Sequence, residues 1–161
     1  MDSEREIGQY RYWIFSLSRL EISMSNPIQS GLFTWPSETP ELLGARCLEC
    51  GEYFFPEPKG CAACSSSALE VVPIGSTGTL WSWTIQGFMP KHPYKTDETP
   101  ETFKPYGVGY IEMPCGLKVE SRLRSGVDGK YEIGMKMDLV VEPFRGKGSD
   151  EELHFLFQAA V

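Results

Sequence analysis

Arg46-Cys47-Leu48-Glu49-Cys50-Gly51 and, after a ten-residue spacer, Cys61-Ala62-Ala63-Cys64 are the stretches that decide how this chain folds. Each Cys-x-x-Cys turn brings two thiols onto one side of a tight knuckle. Two such knuckles facing each other supply the four soft ligands of a tetrahedral zinc ion. The spacer holds Pro56, Pro58 and Gly60, which suit a turning connection better than a helix. It is shorter than is usual between such pairs, so the expectation is a minimal zinc ribbon with Cys47, Cys50, Cys61 and Cys64 as ligands. Four thiolates leave no coordination position for a catalytic water, which makes the expected Zn2+ structural. One such ion would hold together a module with too few apolar residues to fold by itself. The other reading of the pairs is two disulfides in an exported domain.

Outward from the ribbon, composition sets the frame. With 161 residues, 41% of them hydrophobic and 12% aromatic, the chain has material for a packed domain beside the metal module. Net charge is −7, and the imbalance is concentrated at the front: residues 1–76 hold 5 basic and 10 acidic groups, against 10 and 12 in the remainder. Such a chain lacks the broad positive field of a nonspecific nucleic-acid binder. No apolar run approaches the ~20 residues of a membrane span. The opening is acidic and has no small-residue cleavage site, so the expected location is cytoplasmic. Residues 1–23 have two readings. They are either an extension upstream of a start at Met24, or a short aromatic-rich helix (Tyr10 to Leu17) that docks on a partner.

From Gly31 to Leu43 the chain reads as a lead-in, with apolar anchors Leu32, Phe33 and Trp35 and with Pro36 and Pro40 preventing a long helix. Beyond Gly75 the pattern turns to β. Runs over Leu80–Phe88, Tyr106–Met113, Leu117–Arg124, Met137–Phe144 and Leu153–Ala159 are rich in aromatic and β-branched residues or alternate in polarity. In the third run Leu117, Val119 and Leu123 face one way, and Lys118, Glu120, Arg122 and Arg124 the other. Five strands with polar turns and hardly any helix predict a small barrel, the OB-fold first among them. The expected fold is therefore mainly β: an N-terminal extension and lead-in (1–42), a rubredoxin-like zinc ribbon (43–74) and a five-stranded OB-fold barrel (75–161).

Candidate chemistry outside the ribbon is sparse. Cys115 sits at a tight turn between Pro114 and Gly116, and a nucleophilic pair would need His92 or His154 as its base. His154 reads as decoration on a strand face. His92 lies in the long loop from Met89 to Lys104, whose length and three prolines suggest a functional segment. Lys118, Arg122 and Arg124 form either a solvated strand exterior or a short positive stripe for phosphate groups. On an acidic protein a coenzyme A phosphate suits such a stripe better than nucleic acid does.

The combined order of motifs resembles a known family: zinc-ribbon plus OB-fold, acyl-CoA-associated proteins catalogued as domain of unknown function 35. Carrying the resemblance are Arg46 to Gly51, Phe55-Pro56-Glu57-Pro58, Cys61 to Cys64, Gly75-Ser76-Thr77-Gly78-Thr79-Leu80-Trp81-Ser82-Trp83-Thr84, Pro105 to Val108, Ile133-Gly134-Met135, Phe144, and Leu153 to Phe157. Ser65 departs from it, standing where a glycine often follows the second knuckle, and Met113-Pro114-Cys115-Gly116 is an unusual turn. The resemblance implies a protein that is not an enzyme by itself. It would be a small subunit in a hetero-oligomer with a thiolase-fold enzyme, a hydratase or an aldolase acting on acyl-CoA, for example in the degradation of aromatic or steroid acyl-CoA compounds. On that reading Lys91, His92, Tyr94, Arg122 and Arg124 are ligand-side candidates toward a coenzyme A thioester shared with the partner. Leu32, Phe33 and Trp35 would anchor the partner. Two rivals stay open: a single-stranded nucleic-acid module stacking bases on Trp81 or Trp83, and a free-standing enzyme using Cys115.

Overall fold

The computed structural model describes residues 26–91, 94, 98–124, 130–145 and 151–160. The two readings of residues 1–23 and the expectation for His92 fall outside these residues. Every regular element among the described residues is a strand.

Three strands make the first sheet: β1 (Leu42–Cys47), β2 (Tyr53–Phe54) and β3 (Leu69–Gly75), in the order β2-β1-β3. The central strand is the apolar one. Leu42, Ala45 and Cys47 are almost fully buried, and Ala45 lies opposite Phe54 on one side and Val71 on the other. β3 leads through Gly75, whose φ of +102° suits glycine, and Ser76 into β4 (Thr77–Gln86). The ribbon therefore feeds the barrel almost without a linker.

β4, β5 (Tyr106–Glu112), β6 (Lys118–Leu123), β7 (Lys136–Arg145) and β8 (Glu151–Ala159) close into a barrel of order β4-β5-β6-β8-β7. This is the five-stranded OB arrangement expected from the polarity pattern. All neighbours pair antiparallel except β6 and β8, which run parallel and meet at Leu123 and Phe157. Leu80, Ile111, Met137, Leu153 and Phe157 fill the interior with no exposed surface. Close strand approach needs a glycine at 78, where a Cβ would stand 2.5 Å from Ile111 Cγ2 and 2.9 Å from the Glu112 carbonyl oxygen. Across β4 and β5 the register shifts between Leu80 and Ser82, so Trp81 is the extra residue of a bulge and its ring is 52% exposed.

The lead-in is pinned to both modules. The Leu43 amide donates to the Leu32 carbonyl and the Thr34 amide to Glu41, so Leu32–Thr34 lie against the start of β1. Upstream, the Ile28 amide donates to Leu153 and the Leu153 amide to Asn26, which lays residues 26–28 along the edge of β8. Between these two points Phe33 enters the common core and is only 3% exposed.

Candidate functional site

The four thiols converge because both knuckles have the same backbone. In the first, the Gly51 amide donates to the Cys47 carbonyl at 2.9 Å. In the second, the Ser65 amide donates to the Cys61 carbonyl at the same distance. Both turns end in the left-handed region, Gly51 at φ +78° and Ser65 at +62°. The departure at Ser65 is thus a side chain in a conformation that glycine adopts more cheaply. Strand β1 delivers Cys47, and the segment before β3 delivers Cys61 and Cys64. The outer walls Cys50 and Cys64 stay exposed, whereas Cys47 and Cys61 are buried.

All four Sγ atoms lie within 4.8 Å of one another, with Cys47–Cys64 at 3.6 Å and Cys50–Cys61 at 3.5 Å. A tetrahedron with metal–sulfur bonds of about 2.3 Å has an edge of about 3.8 Å, so the cage has the size a zinc ion requires. Its electrostatics agree. The backbone amides of Cys50 and Glu49 hold the Cys47 thiol down to about 7. The Ser66 amide favours the Cys64 thiolate as well, but the neighbouring sulfurs of Cys61 and Cys50 push it up to about 12. A divalent cation removes that mutual repulsion. When bound, it would tie the two knuckles together and leave no open position for chemistry.

The other expected site residues divide. Leu32 and Trp35 pack half-buried against the core, and Phe33 lies inside it. The Phe33 ring packs edge-on to Trp35 and Phe155 within this chain. Lys91 is exposed, and the Tyr94 amide donates to its carbonyl. On β6 the basic stripe is mostly neutralised. Lys118 pairs with Glu112 at 3.2 Å and lies over the Trp81 ring. Arg124 pairs with Glu142 and donates to Gln158, which argues against a phosphate contact there. Arg122 alone of the three has no carboxylate partner among the described residues. Its guanidinium stacks on Tyr106, 3.7 Å from the ring centroid.

Around Arg122 gather groups that the sequence left apart. Tyr106 carries Phe103 on its edge at 5.9 Å, so the end of the long loop is anchored beside Arg122. Burial, assisted by the Arg122 charge, pulls His154 down to about 4, and its ring leans on Phe144. His154 is thus a neutral imidazole facing a groove rather than surface decoration. Strand pairing held the signal: Val108 opposes Arg122, which makes Tyr106 its diagonal neighbour. Cys115 remains a turn residue, half-buried where the Gly116 amide donates to Met113.

Two family descriptions match in succession, "ChsH2, rubredoxin-like zinc ribbon domain" over residues 38–70 and "ChsH2, C-terminal OB-fold domain" over 71–142. The chain belongs to the ChsH2 family of zinc-ribbon/OB-fold proteins. Within it, the chain is 32% identical over 106 residues to the benzoylsuccinyl-CoA thiolase subunit BbsA of Thauera aromatica, covering 66% of this chain and 67% of the relative. It is 29% identical over 118 residues to a DUF35 domain-containing scaffold protein of Methanothermobacter thermautotrophicus, covering 73% and 84%. Among solved structures, the Ltp2-ChsH2(DUF35) aldolase matches with a TM-score of 0.55 and 26% identity, over 75% of this chain and 86% of that one. No helix of the described residues is long and apolar enough to cross a membrane.

Proposed function

We propose that this chain is the zinc-binding accessory subunit of a thiolase-like complex that processes acyl-CoA, with carbon–carbon bond cleavage or formation carried out by the partner. The observation that carries this reading is the likeness, across ribbon and barrel together, to a thiolase subunit. The aldolase match extends the range of partners to a second carbon–carbon bond enzyme. The ion is a structural zinc at Cys47, Cys50, Cys61 and Cys64. The thioester side of the subunit is the face where the long loop meets β5 and β6. There Tyr94 and Arg122 are the ligand-side residues the geometry favours, with Lys91 and His92 on the same loop. Leu32 and Trp35 are the parts of the lead-in with surface left for a partner. Reconstitution tests the proposal: a thiolase-fold subunit encoded beside this chain gains turnover on its acyl-CoA substrate when the chain is added, and the isolated chain has none. Turnover by the isolated chain that disappears in Cys115→Ser would instead establish the free-standing enzyme.

One observation favours a second reading. Trp81 and Tyr110 expose their rings on adjacent strands beside Lys118, as bases stacking on an OB barrel require. Oligonucleotide binding that weakens steeply with salt and fails in Trp81→Ala would support it, against the net charge of −7.

A further inference from the structure

Among the described residues β6 and β8 pair in register at a single position, Leu123 with Phe157. The lead-in lies along β8, and a groove of about 310 Å³ remains between the lead-in and strands β5 and β6. Ile28, Leu32, Val108 and Phe155 form apolar walls. Polar character comes from Arg122, flat on the Tyr106 ring, and from His154. No buried side-chain nitrogen or oxygen lacks a partner among the described residues. His154 lines this groove from β8. Glu120 also borders it, but its carboxylate accepts the Tyr110 hydroxyl at 2.9 Å on the outer face.

A planar guanidinium without a carboxylate partner among the described residues, beside an apolar groove, fits a carboxylate bidentately. Stacking on Tyr106 fixes the plane of the fork before any ligand arrives. A volume near the lower end of the ligand-site range, about 300–1,000 Å³, admits a small molecule rather than a nucleotide. We propose that this groove binds a short amphipathic carboxylic acid, its carboxylate on Arg122 and His154 and its apolar tail along Ile28, Leu32 and Phe155. This shares Arg122 with the subunit reading but is tested on the isolated chain, so its failure is distinguishable from failure of that reading, which the partner's turnover reports.

The chain has only two histidines, which makes imidazole NMR of the full-length protein a direct readout. His154→Gln assigns the resonance. Hexanoate is the probe, with hexanamide as its uncharged isostere and inorganic phosphate as the headgroup without a tail. Hexanoate is expected to shift the His154 resonance and to raise its pKa, because an anion beside an imidazole favours the charged form. Hexanamide binds at least about tenfold more weakly, and Arg122→Lys, which keeps the charge but loses the fork, weakens hexanoate about tenfold or more. Phosphate alone leaves the resonance in place. The proposal is overturned by an unmoved His154 resonance at ~10 mM hexanoate, by equal binding of hexanamide or phosphate, or by Arg122→Lys binding hexanoate as the parent does.

Discussion

Phe55 of the ribbon meets Phe155 of the barrel edge-to-face, ring centroids 5.6 Å apart and planes at 83°. Phe33 of the lead-in meets the same Phe155 ring at 6.4 Å. Three segments distant in sequence thus converge on one side chain of β8. With only Ser76 between β3 and β4, this contact helps fix how the metal module sits on the barrel. Phe155→Ala is expected to destabilise the chain by about 2–3 kcal/mol, at the low end for a phenylalanine because the ring is only partly buried. Urea unfolding checks it: the midpoint falls, and Phe155→Leu recovers most of the loss.

Metal removal tests the cage. One zinc per chain is expected by elemental analysis of protein purified without chelator. Cys47→Ser and Cys64→Ser lose the ion and loosen the β2-β1-β3 sheet, whereas Cys115→Ser keeps it. Zinc-free native protein would sink the assignment of these four thiols.

The paired knuckles predict opposite effects of similar substitutions. Ser65→Gly removes a side chain from the left-handed region and is expected to be neutral or stabilising by up to about 1 kcal/mol. Gly51→Ala puts one there and costs about 1–2 kcal/mol, although no atom crowds the new Cβ. Zinc retention against a chelator ranks the three proteins, with Gly51→Ala releasing the ion first.

His154 makes the fold acid-sensitive. Its folded pKa of about 4 lies below the ordinary value of 6.5. Between these values the unfolded chain binds more protons than the folded one, so stability rises with pH through that window. The favourable difference is complete above pH 6.5 and disappears as pH falls toward 4. Arg122 faces the ring and opposes its protonation, and Glu142, opposite it on β7, is already paired with Arg124. The slope amounts to on the order of 2 kcal/mol after allowance for partial solvent screening. His154→Gln flattens the stability profile between pH 4 and 6.5; an unchanged slope would assign the acid sensitivity to other groups.

Short-range chemistry was readable from the residues alone. The knuckles are defined within four residues each, and strand alternation such as Val119 and Leu123 against Lys118 and Glu120 placed the barrel strands to within a few residues. What alternation does not carry is the partner of each outward group. Arg124 and Glu142 look like two solvated charges until β8 brings β6 and β7 together around Gln158. Phe33 shows the same limit: the residues of a proline-bounded lead-in do not reveal its packing, and only the backbone bonds to Glu41, Leu43 and Leu153 on either side of it bring it into the chain's own core. The bulge at Trp81 was invisible because one extra residue leaves the composition of the run unchanged.

The subunit reading is tested most directly by purifying the C-terminally tagged chain from its native cells and identifying what accompanies it by mass spectrometry. A thiolase-fold or aldolase-type enzyme in stoichiometric amount is the predicted result. Recovery of the chain alone, or with nucleic acid that leaves as salt is raised, would contradict it.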